Sequence, residues 1–381
     1  MRSPSVRPGG PESLVGSVLS GRYLIEALIG EGGMGAVYRA QHTHMRKRLA
    51  VKVLHPEMSR LAEVVARFER EAMAAAHIDH PNVATATDFG KLDDGSFFLV
   101  LEFVEGQSLR DTVAGGPIEL GRAIHVARQI ASAVGRAHTL GIVHRDLKPE
   151  NVMLVRREED PDFVKVLDFG IAKVPVGAIT GGPHATGQQL TQLGMVYGTP
   201  EYMAPEQALG QEVDPRADQY AIGVMLFEMI AGARPYDHES KVTLLGMHVT
   251  APIPRLRERC PGADVPPSIE TVVTRLLAKE ASARFADTRE LVDALDTAVA
   301  ELAAIGRIAV APPPQSLAQP PLHGGQRGRR DSAGDSTAAA LGPTSFAQPV
   351  SAAVLLASTR HLASVARDFL AKALKRAPPW V

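Results

Sequence analysis

Eight consecutive residues, His144 to Asn151, constrain this chain more than any other feature of its sequence. They include Asp146 and Lys148, and a second aspartate, Asp168, follows seventeen residues after Asn151. In-line transfer of a phosphoryl group requires a base that orients the attacking hydroxyl, a cation near the transferred oxygens and oxygen ligands for Mg²⁺. Asp146 can supply the base, Lys148 the cation, and Asn151 with Asp168 the ligands. A polar loop whose acids fall there by chance does not explain so long a run.

With the tripeptide Asp168-Phe169-Gly170, this run resembles the catalytic segment of the eukaryotic-like serine/threonine protein kinases of bacteria. Lys148, two residues after Asp146, is typical of the serine/threonine branch rather than of tyrosine kinases. The resemblance spans about Tyr23 to Leu302. It implies an α+β fold of two lobes, a small antiparallel β lobe with one main helix and a larger, mostly α-helical lobe.

A glycine-rich segment, residues 30–37, fits the pattern G-x-G-x-x-G-x-V. Glycines let a turn bring its backbone against phosphates without a Cβ clash. The same glycine spacing occurs in dinucleotide-binding folds, where a helix follows, but here residues 37–40 continue as a predicted strand. The resemblance implies that this loop and its neighbours bind the nucleotide; the residues so assigned are Ile29, Gly30, Glu31, Gly32, Gly33, Met34, Gly35, Val37 and Ala50.

A single lysine, Lys52, interrupts the apolar run of residues 49–54. A lysine in such a run is usually an exposed edge residue. The resemblance instead implies that Lys52 holds the α- and β-phosphates and pairs with Glu71, which lies on a helix predicted over residues 61–77 by its apolar stripe. Glu69 is the competing partner, but on a helix it points about 160° away from Glu71.

Residues 97–106 predict a buried strand that runs into a turn, and this segment resembles the hinge between the two kinase lobes. The resemblance implies that the backbone of Glu102 and Val104 hydrogen-bonds the adenine and that Leu101 limits the pocket behind it. A plain core strand explains the apolar residues equally well, and only the position in the chain favours the hinge.

Residues 198–206, Gly-Thr-Pro-Glu-Tyr-Met-Ala-Pro-Glu, resemble the end of a kinase activation segment. The resemblance implies that Thr199 contacts Asp146 and Lys148 as a platform for a Ser/Thr substrate. It also implies an ion pair between Glu206 and Arg284, against the alternative of two unrelated surface charges.

Two further assignments concern the support and control of this segment. Asp218 resembles the acid that braces the catalytic loop from below. Arg145 resembles the arginine of kinases controlled by activation-loop phosphorylation, and Thr191 is the predicted activating phosphosite because a phosphate there could meet Arg145. Thr180, Thr186 and Ser or Thr residues elsewhere are the competing sites. Relatives often carry a second threonine nearby, but this chain has Leu193.

Three functions compete on these residues. The resemblance implies a signalling enzyme that transfers phosphate from ATP, with Mg²⁺ or with Mn²⁺ in its place, to Ser and Thr of proteins, itself included. A pseudokinase scaffold is the alternative, but inactive relatives commonly lose at least one of the residues present here: Lys52, Glu71, Asp146, Asn151 and Asp168. A small-molecule kinase lacks the combination of Lys148, Thr199 and the sequence Ala-Pro-Glu.

Composition indicates which partners and which compartment to expect for the protein. A formal net charge of −1 gives no reason to expect a nucleic-acid partner. Cys260 is the only cysteine, so no internal disulfide can form and the chain suits a reducing compartment. No run approaches the roughly 20 apolar residues that a membrane span needs. A cytoplasmic protein without a transmembrane segment is therefore expected.

The domain organisation follows from the same patterns. Residues 1–20 are expected to form a flexible N-terminus and residues 21–303 the kinase domain, with its small lobe at 23–103 and its large lobe at 104–303. Residues 304–349, rich in Pro, Gly, Ser, Gln and Ala, are predicted to be a disordered linker. Residues 350–377 predict an amphipathic helix. It could dock on the kinase domain, on a partner protein or on an anionic membrane, and protein docking is favoured.

Overall fold

The computed structural model of the chain describes residues 11–169, 199–259, 265–304 and 306. All of them belong to the first of two units into which the chain divides, Met1–Pro313. Within the described residues, no helix combines the length and the apolar character that crossing a membrane requires.

A six-stranded antiparallel sheet forms the small lobe, with the strand order β1-β2-β3-β4-β6-β5. Alternating burial along β4 shows how the sequence divides between its two faces: Val51 and Val53 pack into one cluster, and Leu54 belongs to the cluster on the other face. The strands are β1 (Val18–Leu19), β2 (Tyr23–Glu31), β3 (Gly35–His42), β4 (Arg48–Leu54), β5 (Ala86–Lys91) and β6 (Phe97–Glu102).

The sheet begins earlier than the sequence predicted. Val18 and Leu19 pair with β2, Leu19 is 6% exposed, and Leu14 packs against the same apolar cluster. The flexible N-terminus predicted for residues 1–20 is therefore wrong for residues 11–20. The start of the chain is rich in proline and glycine, which predicts a flexible segment. A strand of only two residues is too short to show an alternating pattern in the sequence.

One long helix covers the second face of the sheet. A short helix, α1 (Pro56–Ser59), leads into α2 (Ala62–Ala76), which buries Phe68 and Ala72 against the sheet. Leu61, which the predicted apolar stripe included, precedes the helix and is 37% exposed. The remaining stripe residues carry the packing of α2.

The large lobe is mostly helical and is built around one buried helix, α6 (Arg216–Ala231). Its short sheet has the order β7-β8-β9, with β7 (Gln107–Ser108), β8 (Val152–Val155) and β9 (Phe163–Val166). Its helices are α3 (Leu109–Ala114), α4 (Leu120–His138), α5 (Pro205–Ala208), α6 (Arg216–Ala231), α7 (Lys241–Thr250), α8 (Leu256–Arg259), α9 (Pro267–Leu276) and α10 (Thr288–Ala304).

Helix α6 is apolar on nearly every side because α4, α8 and α9 pack around it. At 16 residues it is a core helix. The predicted α+β fold, a small antiparallel lobe with one main helix and a larger helical lobe, is confirmed. The segments that carry the candidate site lie where β2–β4 of the small lobe face the loops before β8 and after β9.

Candidate active site

A tight turn joins β2 to β3 and carries the predicted glycine loop. The Gly32 amide donates to the carbonyl oxygen of Gly35 at 2.9 Å. His55 braces the turn from the end of β4: its amide donates to the carbonyl oxygen of Met34, and its ring Nε2 lies 2.9 Å from the carbonyl oxygen of Gly32. A Cβ at Gly33 would meet no atom within 4 Å, so space beside the turn is open. This arrangement allows phosphates to approach the backbone.

Lys52 and Asp168 meet between the two lobes. Lys52 lies in β4 on the same face as Leu54, and its side chain is 16% exposed. Its Nζ lies 3.3 Å from Oδ2 of Asp168, which follows β9. A lysine held in this way carries its positive charge beside the carboxylate that the sequence assigned to metal binding.

The predicted partner of Lys52, Glu71, lies in α2, but its side chain is outside the described part of the structure. The Lys52–Glu71 pair therefore stays a prediction. Glu69, the competing residue, is exposed on α2. Gly170 and Thr191 fall in residues 170–198, which also lie outside the described residues, as do the predicted linker from residue 307 onward and the C-terminal helix.

Asp218 holds the start of the catalytic loop from below. It is 1% exposed, and its carboxylate accepts hydrogen bonds from the amides of His144 and Arg145 at 2.8 and 2.9 Å. His138 Nε2 lies 2.7 Å from the same carboxylate. Burial opposes the charge of Asp218, but the hydrogen bonds and charges of His138 and His144 outweigh it and keep the pKa of the carboxyl below its ordinary value.

The bend at Arg145 depends on this brace. Arg145 has φ +63°, in the left-handed region that costs a residue with a Cβ about 1 kcal/mol or more. Gln207 of α5 adds a second support, because its side-chain amide donates to the carbonyl oxygen of Arg145 at 2.9 Å. The loop therefore presents Asp146 from a backbone that is held at both its amide and its carbonyl groups.

Lys148 connects the catalytic loop to the segment before α5. Its Nζ lies 3.4 Å from Oδ2 of Asp146 and donates to Oγ1 of Thr199 at 3.0 Å. The side chains of Asp146 and Lys148 are each 22% exposed, so both remain accessible to a substrate. The geometry brings a carboxylate, an ammonium and a hydroxyl together, as the sequence predicted for these three residues.

Asn151 and Asp168 offer a donor set that suits Mg²⁺. The Asn151 side-chain NH₂ donates to the carbonyl oxygen of Asp146 at 2.8 Å, so its amide oxygen is the atom left for a metal. The amide of Leu167 donates to the carbonyl oxygen of Asn151 at 2.8 Å, which keeps Asp168 near it. Mg²⁺ usually takes one or two protein oxygens and completes its shell with phosphates and water. Across the described residues no cluster of three or more His, Cys, Asp or Glu competes with this site.

The predicted hinge corresponds to the backbone that follows β6. The Glu102 amide is already used, since it donates to the carbonyl oxygen of Thr85 at 2.9 Å. The Val104 amide makes no hydrogen bond to any described residue, so it is the better candidate to meet a purine. The Glu102 carboxylate pairs at 2.8 Å with Lys165 of β9, which is 8% exposed and also donates to the carbonyl oxygen of Val83.

Glu206 and Arg284 form the predicted ion pair, and it is buried. Two hydrogen bonds of 2.6 and 2.8 Å join the guanidinium to both carboxylate oxygens. The side chains are 9% and 0% exposed, respectively. The pair ties α5, at the end of the segment after Thr199, to the loop before α10.

Sequence reasoning missed several residues that hold this site. His55, Lys165 and Gln207 act by contacts with backbone or with residues distant in sequence, and no motif marked them. Arg110 of α3 was also missed, although it binds Glu150, which lies inside the catalytic octapeptide, at 3.0 Å. Only the structure brings these partners together.

Comparison with known proteins agrees with this geometry. The family model described as protein kinase domain matches residues 23–294. The serine/threonine-protein kinase pkn3 of Myxococcus xanthus is 42% identical over 285 residues, which cover 74% of this chain and 50% of pkn3. The serine/threonine-protein kinase PrkC of Bacillus subtilis is 35% identical over 286 residues, covering 75% of this chain and 42% of PrkC. The chain thus spans about half the length, or less, of these relatives.

Solved structures give the same result. The crystal structure of the Mycobacterium tuberculosis PknI kinase domain matches with a TM-score of 0.57 and 29% sequence identity. The match covers 75% of this chain and 98% of that domain. At this identity the likeness extends to the sequence as well as to the fold.

Proposed function

The chain belongs to the protein kinase family, in the branch of bacterial serine/threonine kinases of eukaryotic type, and we propose that it transfers the γ-phosphate of Mg-ATP to Ser and Thr hydroxyls of proteins, itself included. The observation that carries the proposal is the linked set Asp146–Lys148–Thr199. Lys148 Nζ lies 3.4 Å from the Asp146 carboxylate and 3.0 Å from the Thr199 hydroxyl. Phosphoryl transfer to a hydroxyl requires such a carboxylate and cation, beside a hydroxyl that can face the substrate.

Asp146 would orient the attacking hydroxyl and accept its proton. Lys148 would lie beside the transferred oxygens, where its charge stabilises the negative charge of the transition state. Because both side chains are already held by neighbouring groups, little reorganisation is needed when the substrate binds. The gain in rate then comes from positioning and from electrostatic stabilisation.

Lys52, the glycine turn and the hinge would bind the nucleotide. Lys52 would hold the α- and β-phosphates, the turn at residues 30–35 would cover them and exclude water, and the Val104 amide would bind the purine. Asn151 and Asp168 would hold Mg²⁺ or Mn²⁺, and the metal when bound neutralises charge on the β- and γ-phosphates.

Proteins are the proposed substrates because Thr199 lies against Lys148 on a surface that can support a peptide. The relatives bear names of serine/threonine-protein kinases, which supports Ser and Thr as acceptors. A cytoplasmic location is proposed because ATP is the phosphate donor and the single cysteine suits a reducing compartment. Activation through Thr191 and docking of the helix at 350–377 on a protein remain predictions of the sequence.

The test is transfer of ³²P from γ-labelled ATP to the full chain in the presence of Mg²⁺. Wild type should label itself on Ser or Thr, and EDTA should stop the reaction. Lys52→Ala and Asp168→Ala should each lower the rate by about a hundredfold or more, because the first removes a positive charge from the phosphates and the second removes a ligand of the metal.

Lys47→Ala is the matched control, since Lys47 is an exposed lysine near the start of β4. It should keep the wild-type rate, and all variants should keep the wild-type thermal midpoint within a few degrees. Equal incorporation by wild type and Asp168→Ala would refute the proposal.

A further inference from the structure

His55 makes two hydrogen bonds to the glycine turn, and only one of them depends on its side chain. Its amide donates to the carbonyl oxygen of Met34 at 2.9 Å, a contact that most residue types could make at this position. Its ring Nε2 lies 2.9 Å from the carbonyl oxygen of Gly32. A carbonyl oxygen can only accept a hydrogen bond, so Nε2 carries a proton and is the donor. The hold on Gly32 therefore depends on the imidazole ring.

Little else fixes the backbone in the middle of the turn. The pairing of β2 with β3 ends at Glu31 and Ala36, and inside the turn the Gly32 amide donates to the carbonyl oxygen of Gly35 at 2.9 Å. Two adjacent glycines have a wide choice of backbone conformations, and a Cβ on Gly32 or Gly33 would meet at most one atom, at 3.9 Å. Packing therefore does not hold the peptide between them, whereas the hydrogen bond from the imidazole ring does.

The peptide between Gly32 and Gly33 links the ring to a donor that can face a phosphate. A peptide group is planar and trans, so its carbonyl and its N–H point in opposite directions. Because the Gly32 carbonyl binds Nε2, the Gly33 amide points away from His55, and it donates to no residue that the structure describes. Rotation of this peptide would replace the amide by a carbonyl oxygen, which repels a phosphate instead of binding it.

His55 also connects the turn to the strand that carries Lys52. Strand β4 ends at Leu54, so His55 is the first residue after it. Met34 gives the turn a second anchor, because its side chain packs against the apolar cluster that contains Leu54 and Phe68. The turn and the lysine proposed to hold the phosphates are thus positioned from the same strand.

We propose that His55 is a positioning residue for the nucleotide: its ring holds the Gly32 carbonyl away from the phosphates and thereby keeps the Gly33 amide as a preset donor to a phosphate oxygen. The inference rests on the proposed kinase function, and it assigns a role to a residue outside the glycine motif. A purely structural brace is the competing explanation, and it predicts equal effects on ligands with and without phosphates.

The experiment compares the affinities of the full chain for Mg-ATP and for adenosine by isothermal titration calorimetry. Adenosine has no phosphate, so the Gly33 amide can contribute only to the binding of ATP. His55→Asn should weaken Mg-ATP binding by about tenfold, the effect of losing one hydrogen bond to a charged group, and should leave adenosine within about twofold of wild type. The KM for ATP in autophosphorylation should rise by a similar factor.

His55→Gln tests whether the hydrogen bond itself is the cause. The side-chain NH₂ of Gln lies about as far from Cβ as Nε2 of histidine does, whereas that of Asn is one bond closer. His55→Gln should therefore keep the wild-type ratio of ATP affinity to adenosine affinity. His44→Ala, at an exposed histidine between β3 and β4, should keep it as well. Asn and Gln both retain a polar amide, so the comparison does not need the more disruptive His55→Ala.

Two results would overturn the inference. One is an unchanged ratio of ATP affinity to adenosine affinity in His55→Asn, as a structural brace would give. The other is a loss of ATP affinity in His55→Gln as large as that in His55→Asn, which would show that the reach of the donor does not matter. Mg-ATP binding and autophosphorylation of wild type are measured first: their absence counts against the proposed kinase function, whereas their presence with either result counts against the role of His55 alone.

Discussion

Arg284 is a full positive charge with a side chain that has no contact with solvent, and the Glu206 carboxylate balances it. Breaking such a pair from one side leaves a buried charge without its partner, which costs about 3–5 kcal/mol. Glu206→Gln should therefore lower the free energy of unfolding by about 3 kcal/mol in a urea titration.

Arg128 provides the matched control for this prediction. It pairs with Asp296 between α4 and α10, but both side chains are nearly half exposed. An exposed pair contributes about 0–1 kcal/mol. Arg128→Ala should therefore change the free energy of unfolding by less than about 1 kcal/mol, and a larger loss than that of Glu206→Gln would contradict the ranking.

His248 should make the stability of the large lobe sensitive to mild acid. Burial, followed by the charge of Lys279, lowers the pKa of His248 to about 4, and its Nδ1 lies 2.9 Å from the Tyr220 hydroxyl. An unfolded histidine titrates near 6.5. Between these values the unfolded chain binds a proton that the folded chain does not, so the free energy of unfolding falls as the pH falls.

The expected loss from this histidine is about 2 kcal/mol between pH 7 and pH 5. His248→Asn keeps a polar atom near the position of Nδ1 and cannot take up the proton, so its unfolding free energy should decline less over the same range. The exposed His44→Asn should behave like wild type. If wild type and His248→Asn lose equal stability between pH 7 and pH 5, the assignment is wrong.

At the scale of elements, Gly35 lets the start of β3 lie directly against the backbone of β4. A Cβ at Gly35 would overlap the Val53 carbonyl oxygen, which is part of the backbone and cannot swing away. Overfilling of this kind typically costs about 1–3 kcal/mol. Gly35→Ala should lower the thermal midpoint by several degrees in differential scanning calorimetry.

Gly33→Ala is the control, because a Cβ there would meet no atom within 4 Å. Gly33→Ala should keep the wild-type thermal midpoint. Its affinity for ATP should fall only if the turn approaches the phosphates. Equal midpoints for Gly35→Ala and Gly33→Ala would show that the sheet relaxes around the added methyl group.

The elements that the sequence predicted well are those with a strong local pattern. The apolar run around Lys52 became β4, and the apolar stripe of residues 61–77 became the helix α2. Strand β1 was missed because two residues carry no period, and its partner strand supplies the information that makes it a strand. Local pattern predicts an element only when the element is long enough to show it.

In the candidate site, likewise, the sequence predicted which residues lie together only where they are close in the chain. Asp146, Lys148 and Asn151 share one octapeptide, so their proximity follows from the sequence alone. The pairing of Arg110 with Glu228 spans 118 residues and has no sequence signature. Contacts of this kind arise from the packing of α3 against the catalytic loop, which no single segment encodes.

At the scale of the whole molecule, the sequence predicts that the kinase domain is followed by a linker. The composition of residues 304–349 predicts an exposed linker, and its basic residues Arg327, Arg329 and Arg330 are trypsin sites. Brief proteolysis should cut there first and leave a stable fragment that contains residues 21–303. A first cut inside that range, identified by mass spectrometry, would contradict the proposed boundaries.

Asp146→Asn tests the central claim of kinase activity most directly, since it separates nucleotide binding from phosphoryl transfer. The substitution keeps the size of the side chain but removes the base, a change that typically costs about 10²–10⁴ in rate. We expect Mg-ATP affinity within about twofold of wild type, an unchanged thermal midpoint and autophosphorylation slowed by about a hundredfold or more, whereas the exposed Asp93→Asn stays at the wild-type rate. Autophosphorylation by Asp146→Asn at the wild-type rate would contradict the claim.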